Sequence, residues 1–237
     1  MSIDSLERDG FAVSKQMFNR SDIKSFNNLA GKLPPLIGMS QDGVWIDLVE
    51  GDVDWAYNWA QVPEDNSFIN DTVLPALGKI ADSVFQDDSW GWQLTNRYVV
   101  SNYHHEFEPS PHLDAPYLWP QNLQVQMAKY LPKGILSITF MVPLVEFTPT
   151  NGATAYLPGT HKYLIDTTNW QEAKSIYRAL FQDNYVQPSV PLGCISMLYG
   201  NCLHAIMPNK TNSVRRALIY RAIRQDALSE MDRLGLG

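Results

Sequence analysis

Cysteine is nearly missing from this chain. Cys194 and Cys202 are the only two among 237 residues. That is too few for a disulfide scaffold or a cysteine-rich zinc site, and a reducing, cytoplasmic setting is the default expectation. No apolar run approaches the ~20 residues that a membrane-spanning helix needs. Met1–Gly10 is polar and acidic, unlike a secretory signal. Positive charge is scarce: 18 Lys and Arg stand against 25 Asp and Glu, for a formal charge of −7. Nucleic acids and anionic membranes want a basic patch, so neither is an expected partner, and a small molecule is. Internal repeats, low-complexity tracts and long linkers are also missing. The chain therefore reads as one domain, 1–237, with its oligomeric state open between monomer and homodimer.

What is present changes texture along the chain. Residues 1–89 read as mostly helical support. Ser21 can cap a helix carrying Ile23, Phe26 and Leu29–Ala30 on one face, with Gly31 as its stop. A second amphipathic helix spans roughly Thr72–Phe85, with Val73, Leu77, Ile80 and Val84 at helical spacing. Between them, Trp45, Trp55, Tyr57 and Trp59 serve either core packing or the wall of a substrate pocket. From Trp90 onward, short β-forming segments dominate: Leu94–Tyr103, Ile135–Val145, Ala153–Leu157, Cys194–Leu198 and Ala217–Ile223. A helix near Trp170–Phe181 interrupts them. Asn169 and Glu172 stand as its capping box, and Trp170, Ala173, Tyr177 and Leu180–Phe181 form its apolar face. Helices followed by many short strands predict a mainly β fold: a jelly-roll, or double-stranded β-helix, core over 90–225 backed by N-terminal helices.

Histidine is sparse: His104, His105, His112, His161 and His204. In His112-Leu113-Asp114 the two polar side chains share one side of an extended segment, because strand side chains alternate. Pro109 and Pro111 hold the approach extended. His204 ends the apolar segment that begins at Cys194. Two imidazoles and one carboxylate suit non-haem Fe(II) with three coordination positions open. Catalytic zinc accepts the same donor types, so ligand identity alone leaves the metal undecided. His104 and His105 are rival ligands, and being adjacent on an extended chain they would face opposite ways. Cys202 shares the parity of His204 and otherwise reads as a small core residue. His161 sits in a turn, where a structural hydrogen bond is the expected role.

These residues and their surroundings resemble the phytanoyl-CoA dioxygenase (PhyH) family of Fe(II)- and 2-oxoglutarate-dependent oxygenases. Four pieces between about Asn96 and Arg221 carry the resemblance. They are His112 with Asp114, the run Asn151-Gly-Ala-Thr-Ala-Tyr-Leu-Pro-Gly-Thr-His-Lys162, the stretch Leu192-Gly193 to Leu203-His204, and Pro208-Asn209-Lys210-Thr211 followed by Arg215-Arg216-Ala217-Leu218. The resemblance implies that His112, Asp114 and His204 bind iron and act in catalysis. It also implies that Arg215, eleven residues past His204, clamps the far carboxylate of 2-oxoglutarate through its planar fork. Thr139 and Asn96, on the strands flanking the His-x-Asp segment, offer further co-substrate contacts. Tyr117 and Trp119 are candidates for the substrate entrance. Ala205-Ile206 departs from the Gly-Ser often found after the distal His. The chain is also short for the family, so an acyl-CoA substrate is not implied.

The expected cofactors are then Fe(II), 2-oxoglutarate as co-substrate, and O2. The expected reaction hydroxylates an unactivated C–H bond of a small metabolite or natural-product intermediate, releasing succinate and CO2. Asp114 stands where related halogenases carry a small residue, which favours oxygen over halogen transfer. Desaturation, oxidative cyclisation and hydroxylation of a peptide or protein residue are the alternatives on the same site. Beyond oxygenases, a non-catalytic jelly-roll binding module and a zinc hydrolase are the competing readings.

Overall fold

Five helices and ten strands follow one another in a computed structural model that describes residues 3–47, 52–85, 91–114, 134–163 and 170–233. The N-terminal part runs α1 (Ile3–Asp9), β1 (Phe11–Val13), α2 (Arg20–Ala30), β2 (Pro35–Ser40), β3 (Trp45–Asp47), β4 (Trp55–Gln61), a π-helical turn (Phe68–Val73) and α3 (Leu74–Val84). Then come β5 (Trp92–Asn102), β6 (Ser137–Pro143), β7 (Ala155–Tyr156), a 3-10 turn (Thr160–Lys162), α4 (Trp170–Phe181), β8 (Ser196–Tyr199), β9 (His204–Ala205), β10 (Arg215–Arg224) and α5 (Gln225–Arg233).

Eight strands form one sheet in the order β1-β8-β6-β10-β5-β4-β2-β3, with antiparallel neighbours throughout. The opposing layer is smaller. β7 pairs with β9, and bridges from His112 to His204 and from Tyr156 to Val186 widen it. Two facing antiparallel layers of this kind make the jelly roll.

Alternation explains how one strand serves both faces. Every residue of β6 is buried. Ile138, Phe140 and Val142 join the apolar cluster that also holds Ile23 and Phe26 of α2 and Leu77 and Ile80 of α3. Met141 turns to the other face, into the cluster of Phe147, Tyr156, Leu198, Cys202 and Ala217 between the layers. The large sheet is therefore covered by helices outside and by the small sheet inside. Thr139, Arg215 and Arg221 come from its inner face, whereas His112 and His204 stand on the small layer opposite.

Several expectations need amendment. The N-terminal third is not only helical support. β1 closes one edge of the large sheet, and β2, β3 and β4 extend the other. The aromatic stretch hid β3 and β4, because Trp and Tyr fit a helix face or a strand equally well. The cap of α2 is Asn19, whose side chain accepts from the Ser21 N–H at 2.9 Å, and not Ser21 itself. The helix expected from Thr72 begins earlier, with the π turn. Pro75 lacks the N–H that would bond the preceding turn, and the hydrogen-bond ladder widens just before it. Asn169 lies outside the described residues, as do the side chains of Trp170 and Ala173, while α4 spans Trp170–Phe181 as expected.

Candidate metal centre and co-substrate site

The metal-ligand candidates are stapled by main chain before any side chain is considered. The His112 N–H donates to the His204 carbonyl at 2.9 Å, and the His204 N–H returns the bond at 3.1 Å. The Asp114 N–H donates to the Gly200 carbonyl at 2.8 Å. This register places the two imidazole rings 4.4 Å apart between centroids. One ligand atom from each of His112, Asp114 and His204 lies within 4.8 Å of the others. Each imidazole is also oriented. Nδ1 of His112 lies 2.8 Å from the Ser110 carbonyl, and Nδ1 of His204 lies 3.0 Å from the Cys202 carbonyl. A carbonyl only accepts, so the proton sits on Nδ1 and the Nε2 lone pairs are left for a metal.

Electrostatics set the same protonation states. Burial, followed by His112, lowers the His204 imidazole to about 4 against the pull of Asp114, so it is neutral at physiological pH. Burial would push the Asp114 carboxyl up. Arg221 and then His204 outweigh burial, and the net direction is down. Neutral imidazole and ionised carboxylate are the states a metal requires. The donor set therefore fits a divalent first-row ion.

Asp114 is held from both sides. Thr139 Oγ1 donates to Oδ2 at 2.7 Å, and Arg221 Nη2 donates to Oδ1 at 2.5 Å. Thr139, a candidate co-substrate contact in the sequence, thus spends its hydroxyl proton on the carboxylate ligand. Asn96 lines the same cavity as His112 and Asp114 and has a φ of 52°, rare for a residue other than glycine. It lies in a bulge of β5, where Asn96 and Arg97 oppose the single Tyr220 of β10. Its Oδ1 accepts from Thr95 Oγ1.

Arg215 and Arg216 diverge as strand neighbours must. The Arg216 guanidinium lies on the helix side, near Asn27 and Gly31 of the α2 end. Arg215 is 2% exposed, inside the jelly roll, with its guanidinium carbon 4.8 Å from the centroid of Phe147. Its Nε has no hydrogen-bond partner, and no carboxylate pairs with it among the described residues. Burial lowers it to about 10, still a cation at neutral pH. A buried cation without a counter-ion is costly and marks a place built for an anion.

One contributor escaped the sequence reading. Arg221 shares the parity of Arg215, and strand alternation alone puts both on the inner face. An Arg at an interior position of an apolar strand is the signal that could have found it. His105 is buried and lines the cavity, whereas its neighbour His104 is exposed. Cys202 is fully buried, with its Sγ near the Leu157 carbonyl, and stands outside the ligand group. His161 Nε2 lies 3.0 Å from the Glu7 carbonyl. Tyr117 and Trp119 lie outside the described residues.

His112 and Asp114 open into a cavity of about 1040 Å³. Its walls include Trp45, Tyr57, Trp59, Tyr98, Phe107 and Ile206. Trp45 stacks on Trp59 at 5.7 Å, and Tyr57 meets both edge-on. Trp55, by contrast, is buried in packing. Asp47, Glu108, Lys174 and Arg178 complete a mouth of mixed charge. No helix among the described residues is long and apolar enough to cross a membrane.

Comparison with solved structures finds the same fold in natural-product enzymes. HygX from Streptomyces hygroscopicus, with nickel, 2-oxoglutarate and hygromycin B bound, superposes with a TM-score of 0.68 at 14% identity, covering 94% of this chain and 88% of that one. The epimerase SnoN, in complex with Fe3+, alpha ketoglutarate and nogalamycin RO, gives 0.64 at 16% identity, over 93% and 81%. The non-heme alpha ketoglutarate dependent carbocyclase SnoK from nogalamycin biosynthesis gives 0.61 at 13% identity, over 94% and 84%. Identities this low speak for the fold. The sequence itself matches the family model for phytanoyl-CoA dioxygenase (PhyH) over residues 6–217. With that match spanning most of its length, the chain belongs to the phytanoyl-CoA dioxygenase (PhyH) family.

Proposed function

We propose that this protein is a non-haem Fe(II)- and 2-oxoglutarate-dependent oxygenase acting on a bulky small molecule. One observation carries the reading: the oriented His112, Asp114 and His204 donors share the jelly-roll interior with Arg215, a buried cation that lacks a counter-ion among the described residues. His112, Asp114 and His204 would hold the metal, and Arg215 would hold the distal carboxylate of 2-oxoglutarate. When bound, Fe(II) with 2-oxoglutarate and O2 supplies the oxidising power to break a C–H bond, releasing succinate and CO2. The chain's own part is positioning. Carbonyl partners fix both imidazoles, while Thr139 and Arg221 fix the carboxylate. The aromatic wall excludes water and orients substrate beside the site without supplying a ligand.

Hydroxylation is the outcome we favour. Asp114 supplies the third protein ligand where halogen transfer would need that position free. A second reading, ring closure or epimerisation on the same site, is favoured by the fold's occurrence in the carbocyclase SnoK and the epimerase SnoN. The cavity is at the upper end of small-molecule sites, which span roughly 300–1,000 Å³. Among the described residues its mouth pairs two acids with two bases and offers no cationic cluster for a nucleotide pyrophosphate. A bulky, ring-bearing metabolite or natural-product intermediate fits better than a CoA ester. A zinc hydrolase would leave Arg215 without a role.

The test is aerobic incubation with Fe(II), 2-oxoglutarate and a panel of ring-bearing metabolites. The expected result is iron-dependent succinate release that rises with the correct substrate. Release no faster than in protein-free controls across Fe(II) and 2-oxoglutarate concentrations would contradict the reading.

A further inference from the structure

Buried polar atoms without partners gather around one row of the large sheet. Tyr57 of β4 stands opposite Asn102 of β5, and Asn102 stands opposite Arg215 of β10. Directly opposed residues project to the same face, so the three side chains share the interior. Asn102 Oδ1 and Arg215 Nε are both buried and unpartnered. Beside this row lies His105. Its N–H donates to the Asn209 carbonyl, and Asn209 Nδ2 donates to the Asn102 carbonyl at 2.8 Å, which ties His105 to the middle of the row. The His105 ring packs edge-on to Tyr57 at 5.8 Å and lies 5.5 Å from Phe107.

His105 is 4% exposed and lines the cavity, yet neither ring nitrogen has a hydrogen-bond partner among the described residues. A neutral imidazole carries one donor and one acceptor, and leaving both unmet in a buried setting is destabilising. The arrangement makes sense when something else fills the space. His105 stands outside the metal-ligand group. The bonds through Asn209 and Asn102 place it beside the row that holds Arg215. Ile206, two residues past His204, also lines the cavity and brings no polar group.

We propose that His105 is a co-substrate-binding residue, donating a ring N–H to the distal carboxylate of 2-oxoglutarate beside Arg215. The proposal rests on the Fe(II)/2-oxoglutarate reading above. The charge balance suits it: one carboxylate meets one guanidinium, and the imidazole adds a hydrogen bond without adding charge. Burial, then Arg215, lowers His105 to about 4, which keeps it neutral when the carboxylate is away.

The test is anaerobic titration of the Fe(II)-loaded protein with two oxo acids, followed through the visible charge-transfer band. One is 2-oxoglutarate; the other is 2-oxopentanoate, which lacks the distal carboxylate. His105→Phe keeps an aromatic ring against Tyr57 and Phe107 but removes the donor. It should raise the dissociation constant for 2-oxoglutarate about tenfold or more, as expected for a hydrogen bond to a charged group. Binding of 2-oxopentanoate should stay within about twofold, and His105→Gln, which keeps an N–H, should recover part of the loss. Unchanged 2-oxoglutarate affinity in His105→Phe overturns the proposal and leaves the iron reading intact. Equal weakening of both oxo acids also overturns it, since His105 would then act on the metal or the fold. A wild-type protein that binds Fe(II) but gives no band with 2-oxoglutarate overturns the iron reading, and this proposal with it.

Discussion

Arg221 donates to Asp114 Oδ1 at 2.5 Å from the inner face of β10, while Thr139 donates to Oδ2 at 2.7 Å from the neighbouring β6. The carboxylate at the centre of the site is therefore charge-balanced before any metal arrives. Asp114 is 2% exposed, and an ion of that burial needs a counter-charge.

Replacing that counter-charge has a definite signature. Arg221→Leu should destabilise the metal-free protein by ~2 kcal/mol, the scale of a lost hydrogen bond to a charged group. Saturating metal should close much of the gap, because the cation then compensates Asp114. Thermal melts with and without Ni(II) would show it. A melting-temperature loss that metal leaves untouched would mean that Arg221 serves packing alone.

Arg215 has a different signature, because it faces no carboxylate among the described residues. Arg215→Ala should raise the 2-oxoglutarate concentration for half-maximal succinate release by ~10- to 100-fold, with a smaller change in kcat. Steady-state kinetics over a wide 2-oxoglutarate range would measure this. Unchanged 2-oxoglutarate affinity would place the clamp elsewhere. Arg216 would be a poor replacement, since it lies on the helix side near Asn27.

The buried histidines give the metal-free protein a pH dependence of known sign. His105 and His204 each fall to about 4 in the fold, chiefly through burial, against about 6.5 when exposed. Between these values the unfolded chain binds more protons than the folded one, so stability falls as pH drops from about 6.5 to 4. The lowered Asp114 acts in a separate window. Its stabilisation is complete above the unfolded carboxylate value of ~3.9 and is lost only below it. Urea unfolding of wild type and His105→Gln at steps from pH 4.5 to 7 should show a flatter dependence in the variant. Identical slopes would mean that His105 does not titrate between the two states.

Trp45 separates fold from substrate. It is 54% exposed, and its packing against Trp59 and Tyr57 costs about 1 kcal/mol or less to remove. Trp45→Ala should thus melt within a few degrees of wild type while weakening coupling of succinate release to substrate several-fold. Full coupling in the variant would take the aromatic wall out of substrate binding.

The chemistry was more legible in the sequence than the scaffold around it. His112 and Asp114 announce themselves because two prolines hold their segment extended, and His204 closes an apolar strand. Arg221 was hidden by its distance from any motif. Only the inner-face parity of Arg215, Ala217, Ile219 and Arg221 gives it away, together with the bulge at Asn96 that local propensity does not reveal. His105 was discounted as one of an adjacent pair, since nothing local says which of two neighbouring histidines turns inward. The strand at Trp55–Gln61 was obscured by aromatic residues that suit helix and strand alike, and that at Pro35–Ser40 by its proline and glycine. Their pairing depends on a long-range fit. A Cβ at Gly38 would collide with the Tyr57 carbonyl, so β2 can approach β4 there only because the residue is glycine.

The central claim is that His112, Asp114 and His204 hold an iron chelated by 2-oxoglutarate. The most direct measurement is the visible spectrum under nitrogen with Fe(II) and 2-oxoglutarate, taken for wild type and for Asp114→Ala at equal protein concentration. The account predicts a weak charge-transfer band in wild type that is lost in the variant, with succinate release lost alongside it. A band of equal strength in Asp114→Ala, or none in an iron-loaded wild type, would contradict it.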